Sequence, residues 1–105
     1  MKVGVDLTFI PRFKDKVALA RKILSPLELK EYENSFNKEE YLASRFALKE
    51  ALIKCLELSI LSVNLNEIIV KKKESGAVYI EYQNKVFSCS LSHENEYCLG
   101  VVVDE

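Results

Sequence analysis

The spacing of apolar residues turns from helical to alternating at Leu58, and that change restricts the fold more than any other feature. Before it the spacing is mostly helical. Ile10, Phe13, Val17, Ala20 and Leu24 follow one face of a helix that Pro11 opens. Ser25-Pro26-Leu27-Glu28 is a capping box that starts a second helix, and Asn37-Lys38-Glu39-Glu40 starts a third. After Leu58 the residues alternate or are β-branched over 67–73, 77–82, 86–92 and 97–103, separated by short polar segments. Val3, Val5 and Leu7 alternate with Lys2, Gly4 and Asp6, which gives one further strand at the start. The order is an N-terminal strand, three helices, then an antiparallel β-meander. That order predicts a single α+β domain over residues 1–105, with helices packed on one face of the sheet.

The third predicted helix, about 38–57, is apolar over more than half its circumference. Leu42, Phe46, Ile53 and Leu56 group together, and Tyr41, Leu48, Leu52 and Cys55 widen the arc. Such a helix is central and largely buried. Its remaining strip holds Glu50 and Lys54 beside Ala43 and Ala47, where small side chains leave room for a neighbouring helix or a ligand. A chain of 105 residues buries only about 60 to 70% of its unfolded surface, so self-association would help it.

Several function classes are excluded at this level. There is no basic start followed by an apolar run and no stretch of about eighteen apolar residues, so a soluble, cytoplasmic protein with no membrane segment is expected. Cys55, Cys89 and Cys98 are odd in number and lack metal-ligand spacing, and His93 is the only histidine, so a metal would be a hard ion held by carboxylates. A net charge of −1 argues against a nucleic-acid coat. Cations nonetheless crowd one segment: Arg12, Lys14, Lys16, Arg21 and Lys22 stand against Asp15 alone, which suits an acidic partner or a solvated flank.

Asp6 at a strand end and Glu50 on the strip of a buried helix are the two acids hardest to explain as surface solvation. Together they could hold one Mg2+, which takes one or two carboxylates and completes its shell with water and phosphate oxygens. Glu50 with Lys54 is also an ordinary i,i+4 surface pair, and both readings stand at this point. Arg45 and Lys49 point into the apolar arc, where each must snorkel, find an acid or bind an anion. His93 closes Ser90-Leu91-Ser92-His93 at the mouth of a hairpin, as a phosphate donor or a turn residue.

These segments resemble the holo-(acyl-carrier-protein) synthases, the small 4′-phosphopantetheinyl transferases of bacterial fatty-acid synthesis. Gly4-Val5-Asp6-Leu7 with Arg12 is similar to their N-terminal strand and following arginine. Arg45-Phe46-Ala47-Leu48-Lys49-Glu50-Ala51 with Lys54 is similar to their R-[FW]-x-x-K-E-A-x-x-K signature, and Ser90-Leu91-Ser92-His93 to the segment before their last strand. Ile23-Leu24-Ser25-Pro26-Leu27-Glu28 also resembles a family segment, and the pieces come in family order.

The resemblance implies Mg2+ on Asp6 and Glu50, with coenzyme A as donor substrate and an apo acyl carrier protein as acceptor. It implies catalytic roles for Glu50 and Lys54, and a cofactor-binding set of Arg45, Lys49, Lys54 and His93. It also implies a homotrimer with active sites between subunits. Arg12, Lys16, Leu19 and Ile23, at i, i+4, i+7 and i+11 of the first predicted helix, form a stripe of cations and aliphatics expected to meet the acidic carrier protein. The chain departs from the family where Glu57-Leu58-Ser59-Ile60-Leu61-Ser62-Val63 replaces a glycine-containing turn, which predicts a looser grip on the nucleotide. A different reading is a non-enzymatic α+β module that binds RNA or protein through Lys71, Lys72 and Lys73. The net charge and the lack of interleaved aromatics disfavour it.

Overall fold

A computed structural model describes all 105 residues. Strand β1 (Lys2–Phe9) leads into a 3-10 turn at Ile10–Phe13, followed by α1 (Val17–Ile23), α2 (Pro26–Glu33) and α3 (Lys38–Cys55). Strands β2 (Ile69–Lys72), β3 (Val78–Tyr82), β4 (Lys85–Glu94) and β5 (Tyr97–Asp104) follow two further 3-10 turns, at Ile60–Ser62 and Leu65–Glu67. The strands form one antiparallel sheet in the order β1-β5-β4-β3-β2. The first and last strands of the chain are therefore neighbours, and α3 crosses both on the inner face. The α+β arrangement predicted from the period change is the one observed.

Local chemistry sets the element boundaries. Ser25 accepts from the Glu28 N–H at 3.3 Å while Glu28 Oε1 accepts from the Ser25 N–H at 2.8 Å, a complete capping box. Asn37 Oδ1 caps α3 by accepting from the Glu40 N–H. Phe36, the residue before that cap, is fully exposed and does not staple it. The first predicted helix is broken. Asp15 takes a left-handed φ of 56°, which separates the 3-10 turn from α1, so residues 10–24 do not share one continuous helical face.

At the other end of α3, Glu57 sits at φ 57° and closes the helix. The Leu58 N–H reaches the Ile53 carbonyl and the Glu57 N–H reaches the Lys54 carbonyl, the pairing of a glycine-type C-cap. The turn thus keeps the geometry that a glycine makes easily, at a cost of about 1 kcal/mol for the side chain.

The small residues of α3 make room for the sheet, not for a helix or ligand. Ala43, Ala47 and Ala51 are fully buried. A Cβ added at Gly4 would lie 1.8 Å from the Ala51 carbonyl oxygen and 2.7 Å from the Cys55 nitrogen, and one at Gly100 would lie 3.0 Å from the Ala47 carbonyl carbon. Strands β1 and β5 therefore lie almost against the helix backbone, and this contact brings Asp6 up to the strip carrying Glu50 and Lys54. Gly4→Ala should push β1 off α3 and cost about 1 to 3 kcal/mol, read in chemical denaturation, with activity falling as Asp6 moves. A variant as stable and active as the parent would contradict this packing.

Candidate active site

Asp6 lies on β1, and its two carboxylate oxygens are both engaged. Oδ2 accepts from Thr8 Oγ1 at 2.9 Å and Oδ1 accepts from Lys54 Nζ at 3.1 Å. Lys54 also donates to the Val5 carbonyl at 3.1 Å. The cation on the α3 strip thus pairs across to the strand, and the i,i+4 surface pair with Glu50 is not formed.

Glu50 is left half-buried, and its Oε1 is a buried oxygen with no hydrogen-bond partner. Burial raises its pKa, the charge of Asp6 raises it further, and Lys54 opposes both. A buried, partnerless carboxylate oxygen beside a second carboxylate is an arrangement that a hard divalent cation satisfies. The residues present therefore fit Mg2+. Glu50 opens on a cavity of about 670 Å³, walled by Leu19, Phe46, Ile60 and Leu61, with Lys22 at its side.

Arg45 and His93 line a second cleft, of about 250 Å³. Arg45 is 5% exposed, lies over the Tyr41 ring at 4.2 Å and donates from Nη1 to Ser44 Oγ at 3.0 Å. Its Nε and Nη2 have no partner. A buried guanidinium with unused donors suits an anion such as phosphate. His93 lies one residue before the end of β4, paired with Cys98 beside the β4–β5 turn, the hairpin mouth expected for it, and its Nε2 is 3.5 Å from Glu40 Oε1.

The structure removes Lys49 from the cofactor-binding set. Lys49 is fully buried, and its ammonium donates to Glu28 Oε1 at 2.6 Å, to the Ile23 carbonyl at 2.7 Å and to the Leu65 carbonyl at 3.0 Å. An ammonium has three donors, and all three are spent inside the fold. Of the alternatives open in the sequence, Lys49 has found an acid.

The expected carrier-binding stripe is also reduced. Arg12 lies on the 3-10 turn beside Phe13, Lys16 caps α1, and Leu19 is half-buried at the Glu50 cavity. Ile23 is only 3% exposed and belongs to the core, so it is not an exposed aliphatic for a partner.

Sequence reasoning missed Thr8, Lys72 and the second role of Glu28. Thr8 sits two residues from Asp6 on a strand, so the period of two already placed them on one side. Lys72 lines the Arg45–His93 cleft, but in the sequence it was masked within the run Lys71–Lys73. The carboxylate of Glu28 was accounted for by its cap, and its pairing 21 residues away left no local signal.

Within one chain the two clefts have no lining residue in common. Arg45 and Glu50 are five positions apart on α3 and so point about 140° away from each other.

Known proteins share this architecture. Residues 2–102 match the model of the 4′-phosphopantetheinyl transferase superfamily. The holo-[acyl-carrier-protein] synthase of Petrotoga mobilis is 35% identical over 120 residues, covering 98% of this chain and 96% of that protein. The crystal structure of the Neisseria meningitidis holo-[acyl-carrier-protein] synthase superposes with a TM-score of 0.89 at 29% identity, over 99% of this chain and 97% of that one. The Helicobacter pylori synthase in complex with coenzyme A gives a TM-score of 0.84 at 27% identity, over 96% and 97%. A family match across nearly the whole chain and relatives that align end to end agree on one assignment: the chain belongs to the 4′-phosphopantetheinyl transferase superfamily.

Proposed function

We propose that this protein transfers 4′-phosphopantetheine from coenzyme A to a serine of an apo acyl carrier protein. The observation that carries the reading is the partnerless buried oxygen of Glu50 beside the Asp6–Lys54 pair, on a fold whose relatives are named for this reaction. Asp6 and Glu50 would hold Mg2+, which would supply charge neutralisation at the pyrophosphate of the donor. Lys54 donates to the phosphate as negative charge develops on it. The carrier serine oxygen bonds to the phosphorus next to pantetheine, the bond linking the two phosphates breaks, and adenosine 3′,5′-bisphosphate leaves with that electron pair. The serine proton passes to a base, for which Glu50 is one candidate. Arg45 and His93, joined by Lys72 in the same cleft, hold the anionic nucleotide end. Chromatography should show adenosine 3′,5′-bisphosphate forming in step with carrier protein consumed. Release from coenzyme A without any carrier would mark a hydrolase instead.

The site is completed between subunits of a homotrimer. On the face of the sheet away from α3, Val3, Val5, Leu7 and Tyr97 are exposed, and cross-strand pairing sets Val3 beside Val103, Val5 beside Val101 and Leu7 beside Leu99. A contiguous apolar strip of this kind on a short chain suits a second copy of itself. Light scattering should give three times the mass of one chain. Leu7→Glu should yield folded monomers with kcat/KM lowered by about tenfold or more. A fully active monomer would contradict the shared site.

Arg12, Lys16 and Leu19 form the carrier-docking surface, where cations steer an acidic helix and Leu19 adds apolar contact. Reversing Arg12 and Lys16 to Glu should raise the KM for carrier protein by about tenfold and leave that for coenzyme A unchanged. A carrier KM that does not move would place docking elsewhere. No helix is long and apolar enough to cross a membrane, and three free cysteines suit the reducing cytoplasm, where we place the protein.

A further inference from the structure

Asp6 keeps a lone pair free on each oxygen, but a cation approaching Oδ1 meets the charge of Lys54 already bound there. Its two oxygens are held very differently. The Thr8 hydroxyl on Oδ2 is buried, with Thr8 only 1% exposed. The Lys54 ammonium on Oδ1 belongs to a side chain that is 56% exposed, against 14% for Asp6. Lys54 can exchange its carboxylate for water at little cost, whereas the hydroxyl has no solvent to turn to. Glu50 meanwhile has a buried oxygen that nothing satisfies, although a lysine four residues along the same helix face was available to it. The cation goes to the strand acid instead.

We propose that Lys54 is a displaceable stand-in cation on Asp6 Oδ1, in direct competition with the divalent ion, and that Thr8 is the positioning residue that keeps the Asp6 carboxylate in one orientation for either occupant. This rests on the reading of Asp6 and Glu50 as metal ligands. While the metal is absent, Lys54 neutralises Asp6 and keeps two carboxylates from facing each other without a counter-charge. When the metal takes Oδ1, the ammonium is released toward the solvent side of the cluster, where a donor phosphate can engage it. A phosphate that draws Lys54 away must in turn tighten metal binding, because coupling between two ligands is reciprocal.

Mn2+ titrated into the protein without coenzyme A, and followed by electron paramagnetic resonance, tests this by affinity alone. Lys54→Met should bind Mn2+ about tenfold more tightly than the parent. Lys22→Met, which removes a cation from the same region that is not bonded to Asp6, should change affinity by less than about threefold, the screened through-space contribution. Thr8→Val should weaken Mn2+ by about tenfold or more, as loss of a ligand's orienting hydrogen bond does. Unchanged or weaker binding in Lys54→Met overturns the competition, as does an equal gain in Lys22→Met. Unchanged binding in Thr8→Val overturns the positioning role. Binding that Asp6→Asn leaves intact, or no binding in the parent, removes the metal site and the competition together. Binding that depends on Asp6 and ignores Lys54 removes only the competition.

Discussion

Glu50→Gln is expected to lose at least about a hundredfold in transfer rate, roughly 2.7 kcal/mol of transition-state stabilisation, while the metal-free protein becomes no less stable. The loss follows from removing a charged ligand at a site with only one other carboxylate. The stability follows from the same geometry. Glu50 is half-buried beside Asp6, and its raised pKa means that the folded state holds the carboxyl proton more tightly than the unfolded chain does. Folding is therefore favoured below the raised pKa, and that contribution is lost as pH rises through it. Glutamine keeps the shape without the charge. Thermal melts in chelator should show the variant gaining on the parent from acid toward neutral pH. A variant that turns over normally would remove Glu50 from the site, and one that melts far lower would make it a structural residue.

Glu28→Ala is expected to destabilise the protein by about 3 to 5 kcal/mol out of the 5 to 15 typical of a whole domain. Glu28 is fully buried and accepts from Lys49 Nζ, from the Ser25 N–H and from the Val70 N–H at 2.8 Å. Truncation strands a buried ammonium and two buried amides at once. The melting temperature should fall on the order of 15 °C or more. Burial already pulls the Lys49 pKa below its ordinary value, and Glu28 opposes that pull. In the variant the opposition is gone, so the unfolded chain binds the Lys49 proton more tightly than the folded one, and the deficit should shrink as pH rises. A melting temperature within a few degrees of the parent would show that the pair contributes little.

Sequence periodicity was enough for the layer architecture because each signal was local. The alternation in β1, the caps at Ser25 and Asn37 and the wide apolar arc of α3 each involve neighbours in the chain. Asp6 and Glu50 could be singled out in the sequence, but only the cross-strand pairing of Lys54 with Asp6 decides against the ordinary i,i+4 pair of Lys54 with Glu50. What stayed hidden was pairing at long range. A strip of alanines told of close approach, but only Gly4 and Gly100 reveal that strands fill it. Lys49 and Arg45 looked alike in sequence, both cations on the apolar side of α3. One meets a glutamate from α2 and becomes structural, while the other keeps two donors free in a cleft. The break at Asp15 was invisible because apolar spacing continues across it, and Ile23, three residues from Ala20 on α1, belongs to the core and not to the docking stripe.

A serine of a carrier protein is expected to receive phosphopantetheine at the Asp6–Glu50–Lys54 cluster. Intact-mass spectrometry of an apo acyl carrier protein, incubated with this protein, coenzyme A and Mg2+, measures it directly. The expected result is a gain of one phosphopantetheine per carrier, absent when the carrier serine is alanine, abolished by chelator and slowed at least about a hundredfold with Glu50→Gln. A carrier mass that does not change with the parent protein, or that changes equally with Glu50→Gln, would contradict it.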